Sequence, residues 1–278
     1  MKILFAPLLI ALLSSFAVSV QAESTPEQDK IAYQKYFQKK FPKTPMADFV
    51  NGVYSVHPES RAQWEEIEEF PPYEIAIEEG EVEFNKAFAN GKTYSDCFAN
   101  SPAKSRKDFP YFDTELGQVV TLEYAINRCR EANGEKPLKY KKGKMVNLSA
   151  YMAYESRGEK IDVKIQNDAA KAAYESGKQF YYTKRGQLNF SCMDCHGAAS
   201  GLRVRADTLS PGLGHTSHFP VYRSKWGGMG TLHRRFAGCN KNIRAQPLKA
   251  QSEAYRNLEY FLSYMGNGLE LNGPGARK

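Results

Sequence analysis

The sequence predicts a mainly α-helical protein of two related domains. Three observations predict it. No stretch of useful length alternates apolar and polar residues as a half-buried strand does. Helix start and stop signals bracket segments such as "PPYEIAIEEGEVEFNKAFANG", which opens on Pro71-Pro72 and closes at Gly91. The chain also repeats itself. "GKTYSDCFANS" aligns with "GQLNFSCMDCH", Gly91 standing six before Cys97 and Gly186 six before Cys192. "CREANGEKPLK" aligns with "CNKNIRAQPLK", Cys129 being eight before Pro137 and Cys239 eight before Pro247. Asn147 and Asn257 each follow their cysteine by eighteen, and each segment runs on to a tyrosine, Tyr154 or Tyr264. Three shared spacings point to an internal duplication.

The first element is a leader, residues 1–22. Lys2 is the only charge before Glu23, an apolar run follows, and Val20-Gln21-Ala22 ends it, which reads as a secretory signal peptide cut after Ala22. Pro7, Ser14, Ser15 and Ser19 interrupt the run and argue against a membrane anchor. Residues 23–70 form a polar N-terminal extension with helical spacing in "DKIAYQKYFQKKF", suited to packing on the main body or on a partner. Residues 71–157 and 158–278 are the two halves of the repeat, with "PAKSRKDFPYFD" and "SPGLGHTSHFPVYRSKWGGMG" as long loops. The formal charge of +7 is only moderately basic, and acidic runs such as "EEIEEF" break it up. No basic run with interleaved aromatics suggests nucleic acid as a partner.

The five cysteines make an odd count for an exported chain. Cys192 and Cys195 belong to "CMDCH", where two thiols can take the vinyl groups of one haem as thioethers and His196 can reach the iron. A zinc site would need a second ligand pair at zinc spacing, and a thioredoxin-like redox pair has no use for His196. The motif therefore predicts one covalently bound haem c and, with the leader, a bacterial periplasm. The fold class becomes two cytochrome c-like domains, the first lacking haem, since Asn100 and Ser101 stand where the second half has Cys195 and His196. With no haem between them, Cys97 and Cys129 can approach and form a disulfide. Closing a loop of about 30 residues adds roughly 3–4 kcal/mol by chain entropy.

His215, His218, Met229, His233, Cys239 and Met265 are candidates for the sixth iron ligand. Met229 in "GGMG" resembles a cytochrome methionine loop, but Cys239 is the paired landmark of the repeat and is preferred. Arginines surround it: Arg234, Arg235, Arg244 and, further back, Arg223. Cations lower a thiol's pKa, and guanidinium groups fork around oxyanions. Arg235 is one helical turn before Cys239 and matches Ala125 in the first half; Arg244 matches Gly134. These arginines thus belong to the half with the haem motif. Arg234, adjacent to Arg235, should point elsewhere. Two functions remain open on these residues: sulfur chemistry at Cys239, or a single-haem periplasmic electron carrier with Met229 or a histidine on the iron.

"SCMDCHG", "RRFAGCNKNIRAQPL" and "YMAYESRGEKIDV" resemble the SoxA family, the larger subunits of the SoxAX cytochromes of bacterial thiosulfate oxidation. "CFANS" resembles the single-haem group, in which a disulfide replaces the first haem. The resemblance implies an L-cysteine S-thiosulfotransferase that joins thiosulfate to a cysteine of a SoxYZ carrier and passes electrons to a SoxX haem. It implies Cys239 as the haem-ligating sulfur that becomes a persulfide or takes thiosulfate, and Arg235 as the sulfonate clamp; the residues themselves add Arg244 as a second substrate-binding candidate.

Overall fold

The structure, a computed structural model, describes residues 24–98 and 102–277. The leader, Asn100 and Ser101 lie outside the described residues. Helix α1 (Pro26–Lys40) starts on a capping box in which Thr25 and Gln28 satisfy each other's backbone N–H groups. α2 (Pro58–Glu68) and α3 (Glu74–Asn85) follow. A hairpin of β1 (Tyr111–Asp113) and β2 (Gln118–Val120) leads into α4 (Leu122–Ala132), and α5 (Lys144–Glu155) comes next. α6 (Asp168–Tyr182) precedes the "CMDCH" turn. A two-residue pair, β3 (Arg203–Val204) and β4 (Asp207–Thr208), stands beyond it. Then come β5 (Val221–Arg223), β6 (Gly228–Gly230), α7 (Leu232–Asn242), α8 (Glu253–Met265) and β7 (Gly275–Arg277). The strands are an addition to the expected helical fold. At two or three residues each, they are too short to leave an alternating pattern, and three of the seven (β1, β5 and β6) fall in the two stretches read as loops.

Both halves pack alike. α3 lies on α5, and α6 lies on α8. The contacts are close enough to require glycine: a Cβ on Gly80 would overlap the Asn147 carbonyl, and one on Gly177 would overlap the Asn257 carbonyl. Asn147 and Asn257 are the asparagines of the sequence repeat. The hairpins share a register too, Tyr111 facing Val120 as Val221 faces Gly230, and Asp113 facing Gln118 as Arg223 faces Gly228. Each hairpin feeds a helix that carries a landmark cysteine, α4 with Cys129 and α7 with Cys239.

Two apolar cores result. One joins Phe84, Tyr94, Phe98, Ile126, Met145 and Leu148 around Cys129. There Cys97 and Cys129 form a disulfide, with Cα atoms 5.7 Å apart. The other core joins α1, α6 and α8 through Tyr33, Phe37, Tyr174, Tyr181 and Phe261. The N-terminal extension thus packs on the main body: the Tyr33 and Tyr181 hydroxyls hydrogen-bond at 2.9 Å, and Lys178 pairs with Asp29 at 2.6 Å.

Where the halves meet, Thr121 donates to Gln251 (2.9 Å) and Thr231 donates to the Tyr140 carbonyl (3.0 Å). Buried Glu123 accepts from Ser149 at 2.9 Å, and Glu259 lies 3.1 Å from His233. Burial, then the neighbouring Glu259 charge, raise the Glu123 carboxyl above its ordinary 4.5. A raised folded-state pKa contributes stability that is complete below the unfolded value and is lost as pH climbs through the raised one. Glu123→Gln keeps an acceptor for Ser149 without the charge. It is expected to raise the melting temperature at alkaline pH and to flatten its decline above pH 4.5. Thermal melts across pH check this; parallel curves for variant and wild type would contradict it.

Candidate functional site

The site is built from the turn at "CMDCH", the loop after it and helix α7. The approach from α6 is pinned by mutual backbone bonds between Arg185 and Phe190 (3.1 and 3.2 Å), and Leu188 N–H bonds the Ile243 carbonyl beyond α7. Asp194 accepts from the Ser191 backbone at 2.8 Å, and the Ser191 hydroxyl accepts from the Asp194 N–H at 3.1 Å. This reciprocal cap starts the wide turn Asp194–Ala198, which carries Cys195 and His196 with Cys192 just before it.

His196 is fixed by the following loop. Its Nδ1 donates to the Ser210 carbonyl (3.0 Å), and its own carbonyl accepts from Gly212 N–H (2.7 Å). A carbonyl partner requires the proton on Nδ1, which leaves Nε2 as the ring nitrogen that meets Cys239 and that would ligate a metal. The Ser210 hydroxyl bonds His215 Nε2 at 2.8 Å, and the His215 ring stands edge-on to His196 at 4.4 Å.

Cys239 lies on α7 and interacts with both His196 and Arg235. Burial alone would push its thiol up. The Arg235 guanidinium, a hydrogen bond with His196 and the more distant Arg223 outweigh burial and bring it down to about 6. The motif cysteines behave differently. Burial pushes Cys192 up to about 11 and raises Cys195 as well. Cys192 and Cys195 both lie within electrostatic reach of Cys239, which in turn meets His196.

This donor set fits a c-type haem. Among the described residues no group of three or more His, Cys, Asp or Glu could hold a bare metal ion. A haem brings four nitrogens of its own and needs two axial donors, which His196 and Cys239 offer, besides two thiols for its vinyl groups.

The other candidate ligands are engaged elsewhere. His218 Nδ1 bonds the Val50 carbonyl (3.1 Å), and burial keeps its ring neutral. His233 accepts from Gln251 N–H (2.9 Å), and Met265 is in the core. Met229 lies directly opposite Tyr222, so it shares the hairpin face opposite to Arg223. Since Arg223 lies within electrostatic reach of Cys239, Met229 is on the far face.

The arginines separate clearly. Arg234 stacks on Trp226 at 4.2 Å and donates to the Met229 carbonyl at 2.8 Å, a packing role. Arg244 is exposed in a left-handed turn (φ 57°) just after α7, matching Gly134 (φ 78°). Arg235 and, less strongly, Arg223 act on the thiol. Arg223 had no role assigned from sequence, because the fifteen residues between it and Cys239 pass through a hairpin whose register only the fold reveals. The Ser210 carbonyl was equally hidden, since a backbone acceptor has no residue signature.

Residues 79–161 match the family model "SoxA/TsdA, cytochrome c domain". That stretch contains "CFANS" and no haem motif. The chain is similar to the L-cysteine S-thiosulfotransferase subunit SoxA of Allochromatium vinosum, at 58% identity over 257 residues covering 92% of this chain and 91% of the relative. The chain belongs to the SoxA family. The subunit of the same name from Chlorobaculum tepidum is 54% identical, with 93% of this chain and 90% of the relative covered. Among solved structures, SoxXA from P. pantotrophus matches with a TM-score of 0.68 at 32% identity, covering 75% of this chain and 79% of that one. Family membership and the cytochrome c domain thus agree with the expected mainly helical cytochrome fold.

Proposed function

We propose that this chain is an L-cysteine S-thiosulfotransferase subunit that joins thiosulfate to a cysteine of a SoxYZ-like carrier, as the names of its relatives indicate. The observation that carries the reading is one ionised thiol, Cys239, held between His196 and unpaired arginines. Joining the outer sulfur of thiosulfate to a thiol forms one S–S bond and releases one proton and two electrons. Cys192, Cys195, His196 and Cys239 are the residues that would hold a haem c, which when bound would supply a one-electron acceptor beside the thiol, and a SoxX-like partner would take the electrons onward.

The chain's own residues do the rest. Arg235 grips the sulfonate and aims the outer sulfur at Cys239. Cys239, kept as thiolate by that cation, bonds the outer sulfur. The carrier thiolate then attacks that sulfur and releases Cys239 by exchange. Splitting the coupling in two separates the oxidation from the transfer.

The wider reading follows. Residues 71–157 are a cytochrome c-like domain without haem, and residues 158–278 are its duplicate with one haem; the shared glycine contacts, hairpin register and cysteine spacing support it. The leader ends after Ala22 and directs the chain to the periplasm. No helix of the described residues is long and apolar enough to cross a membrane.

The test is the mass of the carrier. Incubated with thiosulfate, the holoprotein with its cytochrome partner and an electron acceptor, the carrier should gain one thiosulfate on its cysteine. No gain would contradict the assignment.

A further inference from the structure

Arg223 is the feature of the site that the proposed function leaves unused. It ends β5, pairs with Gly228 across the hairpin and with Arg277 of β7 on its other side, and so is held by strands on both edges. Its guanidinium lies over Trp226 at 5.5 Å. Arg234 stacks on the same indole at 4.2 Å and is spent there, bonded to the Met229 carbonyl. Arg223 has no such partner. Its Nε is buried and makes no hydrogen bond. Among the described residues no carboxylate oxygen comes within 4.0 Å of the Arg223 or Arg235 guanidinium.

An unsatisfied buried guanidinium N–H is costly unless something occupies it. Arg223, Arg235 and Cys239 lie within electrostatic reach of one another. Asp207 acts on Arg223 only from beyond ion-pair distance, and two half-buried guanidiniums without an ion pair keep donors open beside Cys239, which is an arrangement that takes up an oxyanion. The first half supplies a comparison. In its hairpin of equal register the residue at this place is Asp113, opposite Gln118 as Arg223 is opposite Gly228. Strand pairing does not require a cation here, so the cation goes with the half that holds "CMDCH".

We propose that Arg223 forms, with Arg235, a two-guanidinium clamp that binds the sulfonate of thiosulfate beside Cys239. The proposal rests on the thiosulfate reading above. Arg235, one turn from the thiol on the same helix, aims the substrate. Arg223, from the facing hairpin, supplies a second donor fork and the remaining charge. The shared chemistry is oxyanion binding, and a carboxylate of the haem itself is the other oxyanion such a group could hold.

The experiment uses the haem-loaded complex. Arg223→Lys keeps the charge and loses the fork; Arg223→Met keeps the stem and loses both; Arg234→Gln serves as a neighbouring control. Thiosulfate and sulfite binding are measured by calorimetry, conjugation kinetics by carrier mass, and haem potential and absorption in parallel. Losing a charge-assisted pair of hydrogen bonds should weaken thiosulfate binding and raise its KM about 10- to 100-fold in Arg223→Met. Arg223→Lys should recover part of that, Arg234→Gln should match wild type, and haem potential and absorption should stay unchanged. Unaltered affinity and KM in Arg223→Met would overturn the proposal. So would a shifted potential with unaltered affinity, which would assign Arg223 to a haem carboxylate. Wild type that binds the anions through Arg223 yet conjugates nothing would sink the thiosulfotransferase reading and leave the clamp standing.

Discussion

Cys239→Ser is expected to abolish thiosulfate conjugation, by about a thousandfold or more, while the haem stays attached. Serine keeps the size and the helix but cannot ionise near neutral pH or form an S–S bond. On the proposed reading attachment would not depend on Cys239, because Cys192 and Cys195 would supply the thioethers. The mass of the purified variant should therefore include one haem, and the carrier should gain no thiosulfate. Cys239 would also be lost as a donor to the haem, so the oxidised spectrum should change. A variant with normal turnover would remove Cys239 from the chemistry.

Arg235→Gln should lower kcat/KM for thiosulfate about a hundredfold, a loss of about 2.7 kcal/mol. Two causes act together. The sulfonate loses a fork of charge-assisted hydrogen bonds. The thiol also loses the largest influence that counters burial, so Cys239 drifts back up from about 6. The second effect predicts a signature: activity of the variant should recover partly as pH rises and thiolate re-forms, whereas wild type should change little above neutral pH. Arg235→Lys keeps the charge and should lie between the two. The steady-state pH profiles of the three proteins check this, and a pH-independent loss would leave only the clamp.

Much of the fold and site was legible because the landmarks are covalent or steric. A haem motif must be contiguous, which made "CMDCH" visible, and the repeat paired Cys97 with Cys129, which form the expected disulfide. Pro71-Pro72 and Gly91 bracketed a helix that runs Glu74–Asn85. The cysteine spacings carried the repeat, but its tightest structural mark was missed. Gly80 and Gly177 are ordinary mid-helix residues until α5 and α8 lie on them. The strands escaped because two or three residues cannot alternate visibly, and Arg223 escaped with them. Arg244 illustrates the reverse: close to Cys239 in sequence, it is turned outward by a left-handed residue after α7.

The central claim is that Cys239, beside His196, would ligate the haem with it and is the sulfur that reacts. The most direct measurement is the absorption and EPR spectrum of the oxidised protein. The account predicts a low-spin haem with imidazole and thiolate ligands, unaffected by Met229→Leu and lost in Cys239→Ser. A far-red methionine-to-iron band that survives Cys239→Ser and disappears in Met229→Leu would contradict it and make the protein an electron carrier.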